Sequence, residues 1–142
     1  MITIEINRDT TELDIIPHWY SGDDFSNLQS VMKRYCLALD LIDDADLIRE
    51  YEQYHEQVWP EIRKSIFDAG IFEMNIYRFA NRLSMIIDAD DDFSFESKAA
   101  MDSANPKVQE WEQLMWKYQQ SIPGSKELEK WVLMKNIYSL SK

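Results

Sequence analysis

The alternation of apolar and polar positions divides the chain after about residue 31. At the start, Ile2, Ile4 and Ile6 alternate with polar residues, which is typical of a short strand, and a polar stretch with a proline and a glycine follows. The pattern after this stretch is more regular. We therefore predict an N-terminal arm or extension over residues 1–31 and one folded domain over residues 32–142.

Within the domain, strand-like alternation and helix-like spacing follow one another in a simple order. Strands are predicted over residues 35–41, 71–79, 83–89 and 131–140, and helical segments after Asp43 or Asp44, from Pro60 to Gly70, after Ser94 and after Asn105. The order is β-α-β-β-α-β, if the two segments on either side of Pro60 are counted as one interrupted helix. This order predicts an α+β, ferredoxin-like fold, in which helices cover one face of an antiparallel sheet.

Apolar side chains occupy both faces of the predicted last strand. Leu133, Met134, Ile137 and Tyr138 alternate between the two faces of a strand, and all four are apolar or aromatic. A single layer of helices can bury only one face of a sheet. We therefore expect a homodimer in which the two sheets pack face to face.

Composition limits the classes of partner and compartment. The 142 residues, 45% of them hydrophobic, are enough for one domain with a buried core. A net charge of −11 argues against nucleic acid and anionic membranes as partners. No apolar window is long enough to span a membrane. Cys36 is the only cysteine and there is no secretory signal, so we expect a cytoplasmic protein without a cysteine-rich zinc site.

The most informative chemistry lies in the first helix. Tyr51, His55 and Trp59 are spaced four residues apart, which aligns their rings on one side of a helix. A phenol and an imidazole can exchange protons near neutral pH, so such a set can bind a sugar and move its protons without a metal or a cofactor. A single helical histidine is more often a surface or core residue, and we expect Trp59 to pack the helix break onto the sheet.

The segment Glu50–Glu61 resembles the signature of the L-rhamnose mutarotase family, which has the pattern Tyr-x-x-x-His-x-x-x-Trp-Pro-Glu after its first strand. Three later segments resemble the same family in the expected order: Asn75–Tyr77, Val108–Met115 and Ile137–Leu140. The resemblance covers about residues 32–140. It implies a dimeric α/β barrel and an isomerase that interconverts the α and β anomers of a 6-deoxy-hexose, with no cofactor and no metal.

The resemblance also implies roles for individual residues. His55 matches the proton donor of the family, Tyr51 its neighbouring tyrosine, and Trp111 the first of two adjacent tryptophans that contact the sugar. Two positions depart from the pattern: Met74 stands where the family has a second-strand tyrosine, and Glu112 where it has the second tryptophan. We predict a catalytic His55 and a substrate-binding set of Tyr51, Met74, Trp111 and Glu112. Glu112 can accept hydrogen bonds from hydroxyls or serve as a second proton-transfer group.

These departures leave the reaction class in place but widen the choice of sugar. L-Rhamnose is the first expectation, with L-fucose or another 6-deoxy sugar as the alternative. Two other functions suit the same fold: a non-catalytic small-molecule-binding barrel, and a cofactor-free or haem-linked oxygenase. The expected partners are a monosaccharide and a second copy of the chain, without nucleic acid or membrane.

Overall fold

The computed structural model of the protein describes residues 32–127 and 129–141, so the predicted arm over residues 1–31 lies outside the described residues. The elements follow in the order β1 (Lys33–Leu41), α1 (Ala45–Glu56), α2 (Pro60–Asp68), β2 (Ile71–Phe79), β3 (Arg82–Ala89), α3 (Phe95–Ser103), α4 (Pro106–Trp116), β4 (Gln119–Gln120) and β5 (Val132–Leu133). No helix in this part of the chain is both long enough and apolar enough to cross a membrane.

The strands form one antiparallel sheet in the order β2-β3-β1-β4, with β5 also paired to β1. Leu37 of β1 lies opposite Met85 of β3, and Met85 lies opposite Ile76 of β2. These three residues line the helix-covered side of the sheet. The predicted α+β class and the ferredoxin-like order of elements are therefore confirmed.

The helices begin and end where the sequence places their caps. The Asp44 side chain accepts a hydrogen bond of 3.0 Å from the backbone N–H of Leu47, and Pro60 opens α2 after the break. Gly70 follows α2 with a φ of +98°, and a Cβ at this position would lie 2.8 Å from a carboxylate oxygen of Asp90. The backbone conformation therefore favours a glycine, and any larger residue would also have to displace the Asp90 side chain. The other two helices also begin at their predicted caps, Ser94 and Asn105.

The strand predicted over residues 131–140 is wrong in its extent. Only Val132–Leu133 pairs with β1, and the segment beyond it is not a strand. A second short strand, Gln119–Gln120, was not predicted and pairs farther along the same edge of β1. The fourth position of the sheet is thus divided between two short strands that are separated by a loop.

The pairing of β5 with β1 ends before β1 itself does. Leu133 lies opposite Leu37, and the N–H of Met134 donates a hydrogen bond of 2.8 Å to the carbonyl of Cys36. β1 continues to Lys33, so it could pair with more of the last segment, but among the described residues the segment after Met134 does not pair with it. The apolar alternation continues beyond Met134, and the side chains of Ile137, Tyr138 and Leu140 remain exposed.

The core lies on the helix-covered side of the sheet and forms two clusters. One is built around Tyr51 and Trp111, and the other around Ile71 and Ile87. Trp131, which directly precedes β5, packs against both clusters. A cavity lies between them, and its lining comes from both clusters.

Candidate active site

The cavity between the helices and the sheet has a volume of about 280 Å³. Its lining includes all five residues that the sequence singled out, namely Tyr51, His55, Met74, Trp111 and Glu112. They come from α1, β2 and α4, so tertiary packing brings them together. Their contact with one cavity is a finding, whereas their individual roles remain predictions.

The two α1 side chains stack on each other one helical turn apart. The ring centroids of Tyr51 and His55 are 4.4 Å apart, with an angle of 37° between the ring planes. Trp59, at the break between α1 and α2, packs at 71° against Trp111 with a centroid distance of 5.1 Å. The ring contact is thus with α4, whereas packing of Trp59 onto the sheet was expected, and Trp59 itself is not part of the cavity lining.

One ring nitrogen of His55 already makes a hydrogen bond, and this bond determines which nitrogen carries the proton. Nδ1 lies 2.8 Å from the backbone carbonyl oxygen of Tyr51. Because a carbonyl oxygen only accepts hydrogen bonds, Nδ1 carries the proton in the neutral ring and Nε2 has the free lone pair. Burial lowers the pKa of His55, and the bond to the Tyr51 carbonyl only partly opposes this effect. The imidazole is therefore a neutral base at neutral pH.

The Tyr51 hydroxyl is kept protonated. Burial raises the pKa of Tyr51 to about 12, and a hydrogen bond from Gln119 acts in the opposite direction with a smaller effect. The Nε2 amide of Gln119 donates to the Tyr51 oxygen over 3.3 Å. Since the oxygen is the acceptor in this bond, the hydroxyl proton is left to be donated elsewhere.

Gln119 is a site residue that the sequence analysis missed. It is buried, with a relative exposure of 7%. It reaches the site from the two-residue strand β4, where it lies opposite Leu41 of β1. No motif surrounds it, and only the pairing of β4 with β1 reveals its position beside Tyr51.

Trp111 forms an aromatic wall next to the imidazole. Its ring centroid is 5.6 Å from that of His55, and the two planes meet at 68°. It lies on the buried stripe of α4 with Val108 and Met115. Glu112, the next residue, is partly buried and also lines the cavity. An aromatic face and an adjacent carboxylate suit the C–H and O–H groups of a sugar, respectively.

Three further charged side chains line the cavity, and the sequence analysis singled out none of them. Lys98 and Asp102, both on α3, form an ion pair with an Nζ to Oδ2 distance of 2.5 Å. Lys130, which follows the loop after β4, places its ammonium 5.0 Å from the ring centroid of Trp116. The cavity therefore combines apolar walls with separate polar groups, as ligand pockets commonly do.

A second, more open hollow adjoins the cavity. Tyr51 and His55 line both, and Glu52 and Arg78, which form an ion pair with each other, line only the second. His55 thus lies in the partition between a largely apolar cavity and a charged hollow.

The arrangement can perform acid–base chemistry on a small polyhydroxylated molecule. It contains a neutral base at Nε2 of His55, a protonated phenol at Tyr51 and an aromatic wall at Trp111. Among residues 32–127 and 129–141, no group of three or more His, Cys, Asp or Glu side chains is arranged to hold a metal ion.

Comparison with known proteins relates this site to a defined family. The family model described as L-rhamnose mutarotase matches residues 34–140. An L-fucose mutarotase from Xanthomonas campestris pv. campestris is 45% identical over 112 residues, which cover 78% of this chain and 90% of the relative. An L-rhamnose mutarotase from Phocaeicola vulgatus is 32% identical over 74 residues, which cover 52% of this chain and 65% of that relative.

A solved structure supports the fold independently. The crystal structure of an L-rhamnose mutarotase from Formosa agariphila superimposes with a TM-score of 0.57 and covers 77% of this chain and 99% of its own. The two sequences are 19% identical, so this likeness concerns the fold alone.

Proposed function

The chain belongs to the L-rhamnose mutarotase family and is a sugar mutarotase, an isomerase, and we propose that it interconverts the α and β anomers of L-fucose. The observation that carries the proposal is that His55, whose Nδ1 is engaged and whose Nε2 is left as the base, lines the same cavity as Tyr51 and Trp111. A cavity of about 280 Å³ is near the lower end of the range for ligand pockets, which favours a monosaccharide over a larger glycan.

The proposed reaction moves one proton between two oxygens of the same sugar. Ring opening requires that the C1 hydroxyl lose a proton and that the ring oxygen gain one. Nε2 of His55 takes the proton from the C1 hydroxyl and returns it to the ring oxygen as the bond between C1 and that oxygen breaks. Both oxygens are attached to C1, so one imidazole can serve both in turn. Rotation about the bond from C1 to C2 and closure in the reverse sense give the other anomer.

Tyr51 and Trp111 assist without changing their own bonds. The Tyr51 hydroxyl, whose pKa is raised to about 12, stays protonated and donates a hydrogen bond to the oxygen on which negative charge develops. Trp111 packs against a C–H face of the sugar, and this contact is available to either anomer. The proposed roles are thus His55 as acid and base, Tyr51 as hydrogen-bond donor and Trp111 as binding wall.

L-Fucose is preferred over L-rhamnose on two grounds. The relative that shares 45% identity over 78% of this chain is named an L-fucose mutarotase, whereas the relative named an L-rhamnose mutarotase shares 32% over 52%. Met74 and Glu112 also depart from the family pattern at positions that line the cavity. They replace a hydroxyl and a stacking surface with a thioether and a carboxylate, which changes how ring hydroxyls are held. L-Rhamnose remains the second candidate because the family model carries that description.

Saturation-transfer NMR of anomer exchange tests the proposal. The panel contains L-fucose, L-rhamnose and two D-hexoses, each with and without protein. We expect the α and β signals of L-fucose to exchange fastest, L-rhamnose to follow, and the D-hexoses to exchange at the uncatalysed rate. Binding of L-fucose without faster exchange would instead favour a non-catalytic binding barrel. A visible absorption band on addition of haem would favour the oxygenase alternative.

We also propose a homodimer that covers the apolar surface left by the single chain. Phe79, Ile137 and Leu140 are each more than 80% exposed, at 86%, 88% and 83%, and Tyr138 is 75% exposed. Such a set of large apolar side chains is typical of a protein interface. Light scattering should give about twice the chain mass of 16.9 kDa. A mass of one chain at micromolar concentration would contradict the proposal, and Ile137→Asp should weaken the dimer.

We further propose a cytoplasmic location, which the free, partly buried thiol of Cys36 supports. Recovery of the native protein in a periplasmic or secreted fraction of its source cells would contradict it.

A further inference from the structure

We propose that Lys98 and Asp102 form an anchoring site at the end of the cavity away from His55. In this site the pair binds two adjacent hydroxyls remote from the anomeric carbon and selects sugars in which these hydroxyls are cis. The inference deepens the proposed function and rests on it. The chemistry is recognition only, so no bond of the sugar forms or breaks at these residues.

A matched pair in the same chain shows why Lys98–Asp102 is unusual. Lys64–Asp68 on α2 has the same spacing of four residues and a similar distance, 2.6 Å against 2.5 Å. The side chains of Lys64 and Asp68 are 77% and 48% exposed, whereas those of Lys98 and Asp102 are 25% and 11% exposed. An exposed pair of this kind contributes little to stability. A buried pair loses hydration and needs further hydrogen-bond partners to compensate for the loss.

The protein supplies few of these partners. Among the described residues, Lys98 Nζ to Asp102 Oδ2 is the only side-chain hydrogen bond found for either charged group. A carboxylate has a second acceptor oxygen, and an ammonium has two more N–H donors. Both side chains line the cavity, so the remaining acceptor and donors are available to its contents. A sugar offers hydroxyl groups that both donate and accept, which is the complement of this pair.

The pair also lies on the correct helix to reach the far side of a bound sugar. Phe95, Lys98 and Asp102 are spaced as i, i+3 and i+7, so they share one face of α3, and all three line the cavity. The Phe95 ring packs against Tyr35, near the beginning of β1, with centroids 4.9 Å apart. The Tyr51 hydroxyl, in contrast, is bonded to Gln119, which lies opposite Leu41 at the end of β1. The Phe95 end of α3 therefore lies toward the beginning of β1, whereas Tyr51 lies toward its end, and in our proposal the pair that follows Phe95 on α3 approaches the sugar from the side away from Tyr51.

This geometry selects for relative configuration. With C1 beside His55, the hydroxyls at C3 and C4 are on the opposite side of the pyranose ring. One hydroxyl donates to the free oxygen of Asp102, and its neighbour accepts from the ammonium of Lys98. The oxygens of a cis pair and of a trans diequatorial pair are both gauche, so the two kinds of sugar differ in the direction of the C4 hydroxyl, which is axial in the cis pair and equatorial in the trans pair. Because the two charged groups are fixed on one face of α3, they favour a single direction of this hydroxyl, and we assign the axial one. L-Fucose has cis hydroxyls at C3 and C4, whereas 6-deoxy-L-glucose, its epimer at C4, has them trans.

The test compares four variants on these two sugars. Asp102→Asn and Lys98→Met alter the anchoring pair, and Asp68→Asn and Lys64→Met alter the matched surface pair on α2. The rate of anomer exchange at several sugar concentrations gives kcat and KM for each protein. We expect the KM for L-fucose to rise about tenfold in Asp102→Asn, in line with the loss of hydrogen bonds to a charged group. The kcat should change less than threefold, and the preference for L-fucose over 6-deoxy-L-glucose should fall toward one. The surface variants should match the wild type.

Two outcomes would overturn the inference. One is an unchanged KM and sugar preference in both cavity variants, and the other is a loss of kcat alone. If a single variant leaves an unpaired buried charge and fails to fold, the double variant Lys98→Met/Asp102→Leu replaces the pair with apolar side chains, a change that buried pairs often tolerate. The double variant is expected to show the same rise in KM.

Failure of the proposed function can be distinguished from failure of this inference. If the wild type exchanges none of the sugars, the proposed function is wrong, and direct binding of L-fucose by saturation-transfer difference NMR then tests the anchoring site. Binding by the wild type that is lost in the double variant would retain the site. Equal binding by both proteins, or by neither, would overturn it.

Discussion

The two ends of the cavity differ in how they hold polar groups. At one end, the buried Tyr51 and the partly buried His55 are neutral and engaged by single hydrogen bonds that leave one donor and one acceptor free. At the other end, Lys98 and Asp102 are charged and paired with each other. The neutral imidazole can exchange a proton with a sugar and the neutral phenol can donate a hydrogen bond to it, whereas the ion pair offers charged hydrogen-bond partners to its hydroxyls. We call the end with Tyr51 and His55 the reacting end and the end with Lys98 and Asp102 the anchoring end.

The strongest way to test this division is to remove the imidazole at the reacting end. His55→Gln should lower kcat by about 100-fold or more for every sugar that the protein accepts, because an amide cannot act as a general base. The KM should change little, since the anchoring end is intact. Anomer-exchange NMR under saturating sugar measures both constants.

A neighbouring position provides the control for this change. Glu56→Gln alters the exposed residue that follows His55 on α1 and should leave kcat within about twofold of the wild type. Retention of most of the wild-type rate by His55→Gln would remove His55 from the mechanism, and the reacting end would then have to be sought at Glu112.

Loss of the phenolic hydroxyl should have a smaller effect. Tyr51→Phe keeps the buried ring but removes the hydrogen bond that the hydroxyl donates, and we expect kcat to fall about tenfold, which corresponds to one hydrogen bond in the transition state. The same substitution leaves the Gln119 amide without its acceptor. Gln119→Leu should therefore cost less activity than Tyr51→Phe. The reverse order of kcat values would show that Gln119, rather than Tyr51, contacts the reacting oxygens.

The pH dependence should report on the reacting end alone. Because burial lowers the pKa of His55, its neutral form persists below the ordinary value of 6.5. Activity should therefore be constant above pH 6.5 and fall by about tenfold per pH unit only below the lowered pKa, as the base becomes protonated. The Tyr51 pKa of about 12 predicts no loss of activity from that residue up to about pH 10. A profile of kcat/KM against pH checks both limits, and an acid midpoint above 6.5 would contradict the burial of the imidazole.

The lowered pKa of His55 also makes the stability of the folded chain depend on pH. His55 has a lower pKa in the folded chain than in the unfolded chain, so the unfolded state binds more protons between these two values. Its contribution to stability is complete above pH 6.5 and is lost as the pH falls toward the folded-state pKa. His55→Gln should flatten this part of a plot of Tm against pH.

The two ends also differ in how far the sequence could predict them. Tyr51 and His55 lie on one helix, so local spacing was sufficient to predict that they share a face. Lys98, Asp102 and Gln119 line the same cavity, but they come from α3 and β4, and no local pattern links these elements to α1. Their proximity depends on how the helices pack and on which backbone β4 pairs with. The spacing of residues within one element does not predict these long-range contacts.

The same distinction applies to the fold. The hairpin of β2 and β3 was predicted within one residue at each end, because alternation and a turn define a hairpin locally. The last strand was predicted over ten residues from an equally regular alternation, but only Val132–Leu133 is paired. Alternation predicts which faces the side chains would occupy but not which backbone a segment pairs with, and the segment after Met134 leaves β1 although β1 continues to Lys33. This exposed apolar segment is the part that we expect a second copy to cover.

The smallest effect is expected from the two positions where the cavity departs from the family pattern. Met74→Tyr combined with Glu112→Trp restores an aromatic hydroxyl and a second stacking surface, and should shift the ratio of kcat/KM values toward L-rhamnose several-fold, in keeping with single polar and apolar contacts. The kcat for L-fucose should change less than this ratio, because His55 and Tyr51 are retained. Met101→Tyr with Glu110→Trp makes the same exchange at exposed positions of α3 and α4 outside the cavity lining and serves as the control. An unchanged ratio in the cavity variant would mean that neither residue selects the sugar and would leave Lys98 and Asp102 as the source of any preference.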